Sequence, residues 1–429
     1  MSKHPHRALR TWAKTPFAAA AALVALGCRP ESAPASARCG AEGQCPEGSV
    51  CVDAVCRAEE APHGGAVSVA KPVVAAPRRV GHGPQGAPRL QWEVPTHAHV
   101  TAAPTFVERD GASVAIVATH AGRVFGVVVD GDAAGTVVVD AYVDGIVWSD
   151  PLAPGDGTVY VGADDDRVHA IAIGDGTVRW STRLGDCDPP RAPGPVGLRC
   201  DVDGGPVLAP GGDLYAGADG LYRLGRDGAV KWRYPADDAE RFHVGSKPLS
   251  TDTLVVFGAH DGQVHAVDHE GKVKWTVALG GDVDGDPALA ADGSIVIGGD
   301  NGRVHALDPV DGTLRWVFAT GRDIRSGIAV GPAGELYAGS FDGNLYALSG
   351  SGAVRFIVPT GGPIPGTPEV DAEGTVFFGS RDGRVYAVSS AGEVKWNVQL
   401  PADVEASVAV GPAGTLVVAT DDGYVRGLK

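Results

Sequence analysis

The chain has 429 residues, enough for one large all-β domain or two smaller ones, and its 62 glycines and 31 prolines against a single methionine suit tight turns between short strands better than a helical bundle. Lys and Arg number 36 and Asp and Glu 52, a net charge of −16. Beyond the N-terminus no cluster of bases interrupts this acidic field, which argues against a nucleic-acid partner.

Residues 1–27 carry Lys3, Arg7, Arg10 and Lys14, then an apolar run from Phe17 to Gly27 that is too short to span a bilayer. This is the layout of a bacterial secretory signal, and its removal would take the charge from −16 to −20. Ala25-Leu26-Gly27-Cys28 resembles the lipobox of bacterial lipoproteins. The resemblance implies that Cys28 is lipidated and becomes the mature N-terminus, although the family usually has Leu where Ala25 stands and a smaller residue than Leu26. An ordinary cleaved signal beside an incidental Cys is the alternative. At ~0.8 kcal/mol per buried methylene, an anchor of more than one acyl chain holds a protein stably on a membrane.

The seven cysteines divide into Cys28 for lipid, a cluster of four, and two in one loop, a usage that fits an oxidising compartment. In residues 28–56, Cys39, Cys45, Cys51 and Cys56 are separated by five, five and four residues, which favours two disulfides over a zinc site built from closely spaced pairs. Three pairings remain open. Residues 57–89, rich in Ala, Pro, Gly and Val, form a linker that as a coil would reach roughly 30 Å.

From residue 90 to 429 the chain repeats itself. Eight copies of a strand-turn-strand core begin at residues 118, 162, 217, 258, 298, 339, 379 and 419, most with Asp-Gly or Asn-Gly at the turn, as in GAHDGQVHAV and GSRDGRVYAV. Such dipeptides suit a two-residue hairpin with positive φ at both positions. A second column, Trp180, Trp232, Trp275, Trp316, Phe356 and Trp396, recurs at intervals of 52, 43, 41, 40 and 40 residues. A third column of small residues, Ala102, Ser149, Gly204, Ser246, Gly285, Ser326, Gly366 and Ala406, marks the innermost strand, where eight strands converge on an axis. A unit of about 40 residues is one four-stranded blade, so the fold class is all-β, an eight-bladed β-propeller. Seven blades would result if residues 92–138 were not a true blade. The last unit ends at Lys429 without its fourth strand, which the segment around Trp92 can supply, so that N- and C-terminal strands close the ring.

Residues 306–316, ALDPVDGTLRW, match the A-x-D-x-x-T-G-x-x-x-W repeat of pyrroloquinoline-quinone (PQQ)-type propellers with Asp311 in place of Thr, and residues 266–275 follow it one residue shorter. The resemblance implies that Trp92, Trp180, Trp232, Trp275, Trp316 and Trp396 dock against neighbouring blades. The surplus between Trp180 and Trp232 falls in a proline-rich loop bracketed by Cys187 and Cys200, read as a disulfide.

Quinoprotein chemistry is disfavoured. Enzymes of that kind commonly use an adjacent Cys-Cys disulfide over the quinone and a calcium beside an Asp base, and this chain has no Cys-Cys pair and three asparagines in all. No cofactor is expected. The run Asp282-Val283-Asp284-Gly285-Asp286 has the start of a calcium loop, but Pro287 stands where its glycine should be, and it aligns with the inner-strand column. His97 and His99 could share one strand face as metal ligands, yet no third ligand can be named. The binding candidates are therefore the loops at the channel mouth: His97, His99, Trp148, Asp150, Arg241, His243, Lys247, Asp284, Asp286, Arg322, Arg325 and Glu405. Their mixed polarity suits a protein segment or polar ligand.

Fold and anchor together resemble the propeller lipoprotein of the outer-membrane β-barrel assembly machinery. The reading implied is a monomeric, non-enzymatic envelope scaffold for protein partners, in the outer membrane and facing the periplasm, since Arg29 is not the Asp that retains some lipoproteins at the inner membrane. The alternatives are a PQQ-dependent oxidoreductase or other enzyme at the channel mouth, and a surface adhesin or sensor.

Overall fold

The computed structural model describes residues 49–52, 55–58, 81–185, 187, 199–236 and 240–429. They fall in two units, Met1–Val67 and Ser68–Lys429. In the first, strands Ser49–Val52 and Val55–Ala58 pair with Cys51 opposite Cys56 in backbone register. Cys28, Cys39 and Cys45 lie outside the described residues.

Among the described residues of the second unit, antiparallel strands form eight blades. Blade 1 consists of Thr105–Arg109, Ala112–Ala118, Arg123–Val128 and Val137–Tyr142, so the divergent unit is a true blade. Blades 3 to 7 have four strands each in simple up-and-down order, beginning at Gly204, Leu249, Ala288, Ala329 and Glu369. Blade 2 departs from the pattern, with its innermost strand reduced to the single bridge Leu152–Tyr160. Blade 8 closes the ring: Leu90–Pro95 pairs with Tyr424–Leu428 at the far end of the chain.

The core lies between the blades rather than at the axis. Each of eight apolar clusters draws its side chains from two neighbouring blades, as where Val256 and Trp275 of blade 4 meet Ile295 and Leu307 of blade 5. The fourth-strand tryptophans tie these slabs together from outside. The Nε1 of Trp92, Trp180, Trp232, Trp275 and Trp316 donates to Val129, Arg226, His269, Pro309 and Gly350 oxygens of the next blade at 2.9–3.0 Å. Their rings rest on a hairpin glycine; at Gly312 (φ 75°) a Cβ would come within 2.7 Å of Trp275 Cε3. Phe356 takes the same place over Gly392, and Val139 stands in it in blade 1, opposite Gly126.

Trp396 departs from this scheme, because blade 8 has no hairpin between its third and fourth strands. Its socket is residues 81–88, which the sequence places in the linker: Trp396 Nε1 donates to Pro84 O at 2.9 Å, and Gly83, buried over Phe377, donates its N–H to Asp371 Oδ2 at 3.3 Å. The end of the linker segment thus substitutes for a missing hairpin.

The mouth-side turns also differ from expectation. In GAHDGQ the Gly262 N–H donates to Ala259 O and the Ala259 N–H to Gln263 O, while Asp261 Oδ1 accepts from Gln263 N at 3.0 Å. Only the glycine is left-handed (Gly262, φ 77°), so this is a three-residue turn with a glycine bulge, not a two-residue hairpin. The aspartate is there to accept a backbone hydrogen bond, which it does from the right-handed region. Asp166, at φ 65°, takes the glycine position in blade 2.

Candidate functional site

The connections from each fourth strand to the next blade, and the hairpins between second and third strands, gather at one end of the channel. Each connection is pinned by one buried aliphatic: Val100, Val147, Val202, Val244, Val283, Ile324, Ile364 or Val404. The small-residue column follows two positions later, at the neck just before the short innermost strands. The backbone locks connection and hairpin together on both sides. In blade 4 the His260 N–H donates to His243 O of its own connection at 2.9 Å, and the Val283 N–H of the next connection donates to Ala259 O at 3.2 Å. A residue at a hairpin tip is therefore held between two connections.

The cavity this makes, of about 480 Å³, is lined by Trp148, Asp150, His243, Lys247, Asp284, Asp286, Arg325 and Glu405 of the residues expected from sequence. Lys247 Nζ crosses from blade 4 to Asp150 Oδ2 at 2.7 Å. His243 Nε2 meets Asp203 Oδ2 at 3.1 Å, His260 Nε2 meets Asp284 Oδ1 at 2.7 Å, and Arg381 Nε meets Glu405 Oε1 at 2.7 Å. Arg325 binds Asp300 through two nitrogens at 3.0 and 2.7 Å, and its guanidinium and that of Arg381 lie 5.6 and 5.4 Å from the Phe341 ring centre. Below this ring of pairs runs a hydrogen-bonded belt in which Ala103 N donates to Asp150, Lys247 N to Asp286, Gly327 N to Thr367 and Thr367 N to Ser407.

Burial and neighbouring charge shift several of these groups. Loss of solvent pushes Asp286 up to about 6, and Lys247 only partly offsets it. The hydrogen bond that its imidazole donates to Asp284 holds His260 above its ordinary value. Burial, with the Asp421 charge second, raises Glu405. His120, packed 4.1 Å from the Trp148 ring, is pushed down to about 4 by burial and by His99.

Four expected residues lie elsewhere. His97, left-handed at φ 60°, and His99 line a separate pocket of about 400 Å³ with Asp421 and Tyr424 on the closing blade, because the strand Leu90–Pro95 belongs to blade 8 and delivers them to its rim. Arg241 turns to Asp219 at 2.6 Å, and the exposed Arg322 does not line the cavity. Conversely, His260, Phe341 and Arg381 were missed. They occupy the hairpin tip, between the small residue and Asp-Gly, where the eight repeats read His120, Asp164, Asp219, His260, Asp300, Phe341, Arg381 and Asp421. That one position varies freely inside an otherwise uniform turn was the available signal.

The cavity places Asp203 and Arg199 beside the Cys187–Cys200 disulfide, which the structure forms. Asp284 and Asp286 are engaged by His260 and Lys247 within the mouth, and among the described residues no group of three or more His, Cys, Asp or Glu is arranged to hold a metal ion. No helix among them is long and apolar enough to cross a membrane.

A family model described as outer membrane protein assembly factor BamB matches residues 89–282, 186–317, 217–355 and 300–429 in overlapping stretches. Among solved structures, BamB from Moraxella catarrhalis superimposes with a TM-score of 0.60 at 16% identity, covering 80% of this chain and 98% of that one. The computationally designed Ika8 protein gives 0.64 at 16% identity, covering 79% of this chain and 99% of its own. No curated protein matches the chain by sequence. With the model spanning the whole propeller, the chain belongs to the PQQ-like propeller family of the outer membrane protein assembly factor BamB.

Proposed function

We propose that this protein is a non-catalytic scaffold of the bacterial envelope, held to the outer membrane by lipid on Cys28, that presents its channel mouth to a protein of the outer-membrane assembly apparatus. The observation that carries the reading is the mouth itself. Most of its charged side chains pair with one another in a ring of ion pairs set on a backbone clamped from both sides, which gives a rigid, patterned polar surface. Family membership supports the choice of partner. The reading requires neither PQQ nor calcium, and turnover of alcohols or sugars in a dye-reduction assay after reconstitution with both, above that of the apo protein, would overturn it.

The direct test is photo-crosslinking in intact cells, with a crosslinking residue at Phe341 on the mouth or at Asp311 on a hairpin of the opposite end. The full-length protein should yield an adduct with an outer-membrane assembly component from Phe341 and none from Asp311. Cys28→Ser should move the protein from the membrane to the soluble fraction. Equal crosslinking from both positions, or no change in fractionation, would refute the mouth or the anchor respectively.

A further inference from the structure

The mouth is not neutralised evenly. Where blades 2 and 3 meet, Asp150, Asp164, Asp201 and Asp203 gather, and the fixed cations there among the described residues are Lys247 on Asp150 and Arg199 on Asp201. His243, an imidazole, serves Asp203. Asp164 sits at the hairpin tip of blade 2, and backbone hydrogen bonds fasten that hairpin to the connections on both sides, Asp164 N to Ile146 O at 2.9 Å and Val202 N to Ala163 O at 3.2 Å. Its carboxyl is held within reach of the charges of Asp203 and Asp201. Asp164 is 9% exposed, and its Oδ1, like Oδ1 of Asp203, is buried with no hydrogen-bond partner among the described residues. A buried carboxylate oxygen left unpaired is costly unless something supplies a proton or a cation.

Trp148 provides the second indication. The other described tryptophans dock between blades, whereas Trp148 is 42% exposed and lines the mouth, with the Asp164 carboxyl close behind it. An indole face beside unpaired carboxylate oxygens is the environment in which an ammonium or guanidinium group is bound by charge and by the ring together. A metal ion is the poorer occupant, since no group of ligands converges for one among the described residues.

We propose that this corner, where Trp148 and Asp203 line the cavity with Asp164 buried behind them, is a subsite for the cationic side chain, lysine or arginine, of the protein segment that occupies the mouth; the proposal rests on the scaffold reading. Burial, then the charges of Asp203 and Asp201, push Asp164 up to about 7, and the Arg199 charge only partly opposes this. An incoming cation favours the ionised form, so occupancy should strengthen as pH rises through neutrality.

The test uses the full-length protein in detergent, labelled with 5-fluorotryptophan, with the Trp148 fluorine resonance identified by its loss in Trp148→Phe. Acetyl-Gly-Gly-Arg-Gly-Gly-amide should shift that resonance saturably, and the same peptide with neutral citrulline for arginine should not. Asp164→Asn with Asp203→Asn should weaken the arginine peptide at least tenfold; if the double variant fails to fold, Asp203→Asn alone, whose amide oxygen can still meet His243, should weaken it at least threefold. Equal response to arginine and citrulline, or unchanged binding in the variants, would overturn the proposal. In cells, the Phe341 crosslink should fall in the folded double variant, and an undiminished adduct counts against the subsite. If the wild type gives no adduct at all, the scaffold reading fails while the peptide titration still decides the subsite.

Discussion

Trp396→Phe separates the closing socket from the others. The indole loses its hydrogen bond to Pro84 O, about 1 kcal/mol. It also loses ring area of order 40 Å², about 1 kcal/mol at ~25 cal/mol per Å². Phe356 already occupies the equivalent place over Gly392, so the smaller ring fits without strain. The same substitution at Trp316 removes equivalent contacts, to Gly350. The consequences differ because the hairpin under Trp316 keeps its own bonds, Ser349 N to Ala353 O and Gly352 N to Ser349 O, whereas residues 81–88 have no such bonds among the described residues and are tied behind by the paired Arg89 and Lys429. A loss of about 2 kcal/mol should therefore appear as local opening, with amide exchange over residues 81–88 rising about 30-fold in Trp396→Phe. In Trp316→Phe, residues 349–353 should rise far less. Hydrogen exchange with mass spectrometry reads both segments in one experiment. Equal effects at the two sites would refute the claim that the N-terminal segment is a separate latch.

His260 has its pKa raised by Asp284, so their interaction should stabilise the fold fully below about 6.5 and fade as pH rises through the raised value. Urea denaturation at pH 5.5 and 8 should show wild type losing more stability over that interval than His260→Gln; identical pH profiles would count against the pair. Replacing both Cys187 and Cys200 by Ser frees a loop closed over a separation of 13 residues, for a loss of about 3 kcal/mol. Reductant should lower the denaturation midpoint of wild type toward that of the double variant and leave the variant unmoved.

What could be read from the chain follows from how local each feature is. The blades were legible because every repeat carries its own turn and small neck residue and all but the first a docking ring, and the Cys187–Cys200 pair because it alone brackets the one long insertion. Trp148, Lys247 and Asp284 were legible because they stand next to the neck column. The latch was not, since Gly83 and Pro84 find their partners 288 and 312 residues away and have no periodicity of their own. The turn type was misjudged because Asp-Gly suits two geometries, and the Asp261 side chain, by accepting the Gln263 amide, selects the one with a single left-handed residue. Arg241 misled because the hairpin tip opposite it is Asp219, which draws its guanidinium away from the channel.

The same division shows how such a ring acquires specificity. The aliphatic pins, socket glycines and docking rings hold blade to blade, and none of them faces the cavity. The cavity is written by a few positions per blade: the residue after each pin, the one after most neck residues, and the hairpin tips of blades 4, 6 and 7. These are clamped by backbone hydrogen bonds whatever their side chains, so they can change chemistry at little cost to the fold. Here they do so unequally. The surplus of carboxylates with Trp148 lies at blades 2 and 3, and the Arg325–Phe341–Arg381 stack lies four blades on from Trp148, across the channel. A segment lying over the mouth therefore meets acid and indole at one end and guanidinium and phenyl at the other, and the pseudo-symmetry of the scaffold does not extend to the surface it offers.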